Sequence, residues 1–280
     1  MADQPPQTPM GPEQLLPVAA KALDSKPAAI VAEGAIRSCE DFLSRLCYPA
    51  AEELGLLLRD KVAAFRARNL VRIGERAQAL LAGRGLTAGE VTVHPRLGIA
   101  IIEEGSKTDD DVLQDMWAGL LASAATPDSR DESNLIFTDL LGRLTSAQAR
   151  LLEFLCEKSE KGRTRSGLIL AKGHLMVPLD GVSAISQLID IQQLDRELDY
   201  MRTLGLLDGG LSADEAADAT APPPVDLAPT SLALHMYARC RGARDPLSFY
   251  GLTEAAPVRV VATGFLRGGA VIPAGPAEKG

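Results

Sequence analysis

Apolar positions recur every three or four residues through most of the first 158 residues, a spacing that places them on one face of a helix. The clearest stripe runs over residues 49–83, where leucine, valine, phenylalanine and isoleucine face away from a largely basic polar side. Pro49 suits a first helical turn because its missing N–H would have no partner there. Gly83 and Gly85 suit a helix end. The pattern predicts one long helix between them.

Two helices are predicted before Pro49, at about residues 13–23 and 28–46, and four more between residues 83 and 158, each of the four with a start or stop signal of its own. One starts at Pro95. One follows the acidic triplet at residues 109–111, whose carboxylates suit the positive end of a helix dipole, and ends near Ala125. One covers SNLIFTDLLGRL. The last covers residues 146–158 and follows T-S-A-Q, a capping-box pattern.

The pattern changes after residue 158. A glycine-rich basic segment with one short strand at 168–171 precedes a helix at 186–204, a flexible SADEAADATAPPP connection, and a strand that leads into a helix in VDLAPTSLALHMYARC. The prediction is a mainly α protein: a helical bundle followed by a smaller α+β winged-helix-like module. The domains would be a disordered tail at 1–12, a helical domain at 13–158, the module at 159–250, and a short strand with a flexible tail at 251–280.

The apolar stripes also predict a core. Trp117, the only tryptophan, has leucines as its helical neighbours and is therefore interpreted as a core residue and not as a stacking platform for a ligand. The predicted core residues are Leu57, Phe65, Leu113, Met116, Trp117, Leu120, Leu121, Leu151, Leu155, Leu198 and Leu204.

The net charge of the chain limits the classes of partner that it is expected to bind. The formal net charge is -8, so the chain as a whole does not offer the clustered cations that phosphate binding needs. The local exception, beside the predicted winged module, is a cluster of Lys158, Lys161, Arg163, Arg165 and Lys172. Two interpretations remain open: a nucleic-acid-binding wing, or a solvated loop whose charge Glu157 and Glu160 partly cancel.

No cofactor or metal site is predicted. The segment GRGLTA at 83–88 matches a relaxed dinucleotide fingerprint, but it ends a helix where the fingerprint should open one. The consecutive acids at 109–111 lack the alternating ligands and glycine bend of a calcium loop. The cysteines lack zinc spacing and are interpreted as free buried thiols: Cys39, Cys47, Cys156 and Cys240.

No catalytic residue is predicted either. The three histidines, His94, His174 and His235, lie far apart in the chain, and no known nucleophile, P-loop or zinc-protease motif occurs. A Cys–His or Ser–His pair assembled in three dimensions stays open. The N-terminus lacks a signal peptide and no apolar run reaches about 18 residues, so a cytoplasmic protein without a membrane span is expected.

Four segments in this order carry a family resemblance: PAAEELGLLLRDKVAAFRARN, VHPRLGIAIIEEGSKTDDDVLQDMWAGLLASA, FTDLLGRLTSAQARLLEFL and LDYMRTLGLLD. Over about residues 49–240 the chain resembles the Abi-alpha family, abortive infection protein alpha. The resemblance implies a bacterial cytoplasmic protein linked to phage defence and supplies no catalytic residue.

Two hypotheses follow. The first is a phage-defence protein that acts through a protein partner or self-association. The alternative is a nucleic-acid-binding regulatory protein that uses the winged module. An effector nuclease lacks the convergent carboxylates that such chemistry needs.

Overall fold

The structure is a computed structural model that describes residues 42, 43, 45, 63–128, 130–211 and 224–253. Several predictions lie outside these residues: the tail at 1–12, the start of the long helix at Pro49, the core position Leu57, and the strand in the tail after 253. Phe42, Leu43 and Arg45 are helical, and the two apolar ones are buried.

Five helices form the first half of the described chain. The helix starts predicted between residues 95 and 146 are confirmed to within two residues, and the described part of the long helix ends at Gly83 as predicted. The helices are α1 (Ala63–Gly83), α2 (Pro95–Gly105), α3 (Asp111–Ala124), α4 (Leu135–Gly142) and α5 (Ser146–Lys158).

Local capping explains where these helices begin and end. Asp110 accepts hydrogen bonds from the backbone N–H groups of Val112 and Leu113, at 3.0 and 3.1 Å, and so starts α3. Thr145 and Gln148 form both bonds of the predicted capping box at the start of α5. After α1, Gly85 adopts φ +71° while the Leu86 N–H bonds back to the Leu81 carbonyl. The G-x-G-x-x-A segment is therefore a helix end.

Strands and shorter helices form the second half. A two-stranded antiparallel hairpin precedes a three-stranded antiparallel sheet with the order β3-β5-β4, and a helix follows. The elements are β1 (Lys161–Arg163), β2 (Ile169–Ala171), β3 (Leu175–Val177), α6 (Leu179–Ser186), α7 (Ile191–Thr203), β4 (Leu207–Gly210), β5 (Val225–Pro229), α8 (Ser231–Cys240) and α9 (Pro246–Phe249).

One prediction in this half was wrong and one was incomplete. The helix predicted over 186–204 begins only at Ile191, where Asp190 caps it through the Gln192 N–H at 3.0 Å. Ser186 instead ends the separate helix α6, because Gln187 adopts a left-handed conformation with φ +62°. The strand predicted at 168–171 is confirmed as β2, but the segment 160–178 contains two further strands that were not predicted. Each strand has only three residues, too few for an alternating pattern to stand out.

One continuous core spans both halves. Helix α3 lies at its centre and packs against α1, α2, α4, α5 and α8. The same apolar cluster includes Trp117 from the first half with Leu198, Leu227 and Tyr237 from the second. The chain therefore crosses the predicted domain boundary at residue 158 inside a shared core.

Most of the predicted core residues are buried. Phe65 and Leu204 are only half-buried, and Leu204 is the C-cap residue of α7, at the edge of the core. The buried ones are Leu113, Met116, Trp117, Leu120, Leu121, Leu151, Leu155 and Leu198. Within the described ranges, no helix has both the length and the apolar composition needed to cross a bilayer.

Candidate functional site

The cations of the predicted basic cluster surround the β1–β2 hairpin, and residues 158–172 are called the basic hairpin here. In the cross-strand register Lys161 lies opposite Ala171 and Arg163 opposite Ile169, so the two cations share one face. Lys172 lies on the other face, where a Cβ at Gly162 would be 2.8 Å from its Cε. The cluster is therefore split between two faces.

Several of these cations already have partners within the chain. Lys172 Nζ lies 2.6 Å from Glu160 Oε1. Lys161 Nζ donates to the Glu157 carbonyl oxygen at 2.9 Å and lies 5.4 Å from the centre of the Tyr250 ring. Burial lowers the pKa of Lys161, although Cys156 and Glu157 oppose the shift. Both ammonium groups are therefore held by contacts within the chain.

The tip of the hairpin, residues 164–168, is more open. The Thr164 N–H bonds to the Leu168 carbonyl at 2.9 Å and Gly167 adopts φ +90°, which closes a tight turn. Arg165 is exposed in this turn, and Leu168 keeps 62% of its surface exposed. The tip thus offers one cation beside one apolar side chain.

A second exposed surface lies on α7. Ile191, Asp195 and Asp199 follow one another at four-residue spacing and form one ridge, called the α7 ridge here. Ile191 is 46% exposed, and Ile189, just before the helix, is 98% exposed. Asp199 forms an ion pair with Arg202. The adjacent face of the helix, about a quarter turn away, is buried through Leu194, Leu198 and Met201.

The charge of α7 is acidic. With its capping residue the helix carries four carboxylates (Asp190, Asp195, Glu197 and Asp199) against two guanidinium groups (Arg196 and Arg202). A helix that contacts nucleic-acid phosphates needs the opposite balance. The α7 ridge is therefore suited to a cationic partner.

The outer face of the three-stranded sheet adds further carboxylates. His174 Nδ1 lies 2.9 Å from Asp226 Oδ1, and its Nε2 lies 3.7 Å from Asp208 Oδ2. The other two histidines are remote from this group. His94 is the capping residue of α2, 3.5 Å from Glu132 Oε1, and His235 is half-buried on α8, where burial and Arg239 lower its pKa. Each of the three histidines lies on a different element with different neighbours.

A polar cluster between α5 and α8 was not predicted. Tyr237 Oη donates to Glu157 Oε1 at 2.9 Å, and Arg241 lies 3.5 Å from Glu153 Oε1. Burial raises the pKa of the Glu153 carboxyl and also that of the Tyr237 hydroxyl. The partners are 80 or more residues apart, and no local pattern links them. A tyrosine that is hard to ionise and paired carboxylates suit a clamp between the two helices.

The acids at 109–111 have structural partners. Asp110 caps α3 and lies 3.1 Å from Arg150. Asp111 lies 2.6 Å from Arg76, which lowers the pKa of its carboxyl. Among the residues that the structure describes, no group of three or more His, Cys, Asp or Glu side chains is arranged to hold a metal ion.

Comparison with known proteins gives one match. A family model described as Abortive infection alpha matches residues 68–221, from α1 to the segment before β5. A search of curated proteins found no match, and neither did a search of solved structures. The match covers more than half of the 280 residues and includes both α3 and the α7 ridge. The chain therefore belongs to the Abortive infection alpha family.

Proposed function

We propose that this protein is a bacterial phage-defence protein that acts in abortive infection through protein interaction or assembly. Family membership supports the phage-defence role. The mode of action rests on one observation above all: an exposed ridge that combines isoleucine with unburied carboxylates, on the helix that follows a tight helix–helix turn. Such a ridge suits contact with another protein.

We further propose that the second half is a winged-helix-like module. From α5 to β5, apart from the inserted hairpin, the order is helix, strand, two helices and two strands, with the antiparallel sheet order β3-β5-β4. In this arrangement α7 takes the position of the recognition helix, the element that DNA-binding relatives of the helix-turn-helix place in the major groove.

The electrostatics of that position favour a protein partner over nucleic acid. Asp195 and Asp199 of the α7 ridge would face the phosphates, and Asp208 and Asp226 on the sheet would add to the repulsion. The alternative nucleic-acid function depends on the basic hairpin, whose cations are split between two faces and partly paired. Anisotropy of a labelled DNA duplex at low salt tests it: salt-sensitive binding that weakens in Arg165→Glu would favour the alternative.

Infection would act on a binding equilibrium. A phage component can activate the protein only by binding one of its conformations or assemblies better than the other. The charged, exposed surfaces of the second half would then be the surfaces whose contacts change. The shared core would carry such a change to α3, because α8 packs on α3 directly.

A phage-challenge assay tests the proposed role. Bacteria expressing the full chain should give fewer plaques than bacteria with an empty vector, and at high phage dose the culture should stop growing before progeny appear. Gly119→Ala, whose added Cβ would overlap the Cys240 carbonyl oxygen at 1.7 Å, should abolish protection, and the matched Gly83→Ala, with nothing within 4 Å of its Cβ, should retain it. Equal plaque counts with and without the wild-type chain, across several phages, would reject the role.

A further inference from the structure

We propose that the partner of the α7 ridge is a second copy of this chain, which contacts the ridge with the tip of its basic hairpin. The inference rests on the proposed function and names the partner within it. Arg165 of one copy would lie against Asp195 and Asp199 of the next, and Leu168 would lie against Ile189 and Ile191.

Charge complementarity carries the first step. The chain is acidic overall at -8, yet residues 158–172 carry five cations and one acid, Glu160. The α7 helix with its cap has the opposite sign. Opposite patches on two copies attract one another and orient the encounter, most strongly at low salt.

The apolar side chains carry the second step. Leu168 and Ile189 are 62% and 98% exposed, the two largest exposures among the large hydrophobic residues that the structure describes. Each lies next to one of the two patches. Leu168 is three residues from Arg165 at the hairpin tip, and Ile189 is two residues before Ile191, the first residue of the α7 ridge. Contact between the two patches would bury both Leu168 and Ile189. A contact made only through the charged side chains would leave both in water.

The placement of the two patches decides the type of assembly. The hairpin packs on α8, and α7 packs on α5 and β4, so they belong to different parts of the surface. Two unlike patches can pair reciprocally in a closed dimer or head to tail. The separation of the two patches on the surface favours the head-to-tail contact, which leaves one free patch at each end of a pair. Successive copies would therefore add head to tail into a ring or an open chain, an assembly that grows with concentration.

The first experiment measures mass by size-exclusion chromatography with light scattering on the full chain at low salt. The wild type should exceed the 29.6 kDa of one copy increasingly with concentration, and salt should reverse the increase. Arg165→Glu and Asp195→Arg should each return the mass to one copy. Arg68→Glu, an equal charge reversal at an exposed position of α1, should leave the assembly unchanged.

The decisive experiment mixes the two variants. In an equimolar mixture the intact hairpin of Asp195→Arg meets the intact α7 ridge of Arg165→Glu, so the mass should rise above one copy although each variant alone does not associate. Circular dichroism and a cooperative melt establish that both variants are folded. A contact between identical patches would give no such recovery.

Three outcomes overturn the inference: a wild type that stays at one copy at low salt and high concentration, variants that assemble like the wild type, or a mixture without recovery. None of these bears on the phage-challenge assay with the wild-type chain. Loss of protection by Arg165→Glu and Asp195→Arg, with recovery on co-expression, would support the contact in cells. Full protection by both variants would leave the phage-defence role intact and remove assembly from it.

Discussion

Gly119 allows helices α3 and α8 to pack in close contact. A Cβ at this position on α3 would lie 1.7 Å from the carbonyl oxygen of Cys240, at the end of α8. No side-chain rotation relieves an overlap with backbone, so the helices would have to separate. Gly119→Ala should therefore lower the free energy of unfolding by about 3 kcal/mol. Urea denaturation followed by the fluorescence of Trp117 measures it.

Gly83 provides the matched control. It is the last residue of α1, and a Cβ there would meet nothing within 4 Å. Because alanine favours a helix over glycine, Gly83→Ala should leave stability unchanged or raise it by up to about 1 kcal/mol. Equal effects of the two substitutions would contradict the close packing of α3 on α8.

Burial also determines the reactivity of the two cysteine thiols that the structure describes. Cys156 and Cys240 are free and fully buried, and burial raises the pKa of both thiols well above the ordinary value. Both should therefore remain protonated and unreactive toward a thiolate-selective reagent at pH 8 in the folded protein, and react on denaturation. Peptide mapping by mass spectrometry resolves these two positions. Rapid labelling of either under native conditions would contradict their burial.

At the scale of elements, the start of α5 depends on one side chain. Thr145 Oγ1 accepts from the Gln148 N–H at 3.3 Å and lies 3.1 Å from Glu197 Oε2 on α7. Thr145→Ala removes the cap and should cost about 1 kcal/mol of unfolding free energy. Thr145→Ser keeps the hydroxyl and should retain most of the stability. Denaturant midpoints of the three proteins measure both effects, and a serine variant as unstable as alanine would argue against capping as the cause.

Elements with local signals could be predicted, and those without could not. The capping box and the helix end at Gly83 each depend on residues that are neighbours in the sequence, so the start of α5 and the end of α1 were predicted closely. The break before α7 depends on a left-handed Gln187, a conformation that its side chain does not favour. The spacing of Leu188, Ile191 and Leu194 continues through it, so periodicity concealed the break that exposes Ile189.

The candidate site was predictable only in part. The basic residues around 158–172 stand out in the sequence, but their division between two faces follows from the register of β1 and β2. Predicting the acidic α7 ridge would have required the correct start of α7, which was predicted five residues too early. The clamp of Tyr237 on Glu157 joins residues 80 positions apart, and no local pattern encodes such a contact.

For the whole molecule, the main consequence of the fold is that the two halves share one core. Helix α8 packs on α3 and on α5, and its buried Leu234, Met236 and Tyr237 belong to the same apolar cluster as Trp117. Removing the residues after 158 would therefore uncover one side of the core that the first half forms. The apolar face of α3 that packs against α8 would then contact water.

A chain cut after Lys158 should therefore fail to fold as an independent unit. Without α8, the surface around Gly119 loses its cover, so we expect a fragment with helical circular dichroism, a red-shifted Trp117 emission, and no cooperative melting transition. The chain ended at Thr253 keeps every described contact of α8 and is the matched control. A fragment 1–158 that melts cooperatively with a buried tryptophan would contradict the shared core and would make the boundary at 158 a true domain boundary.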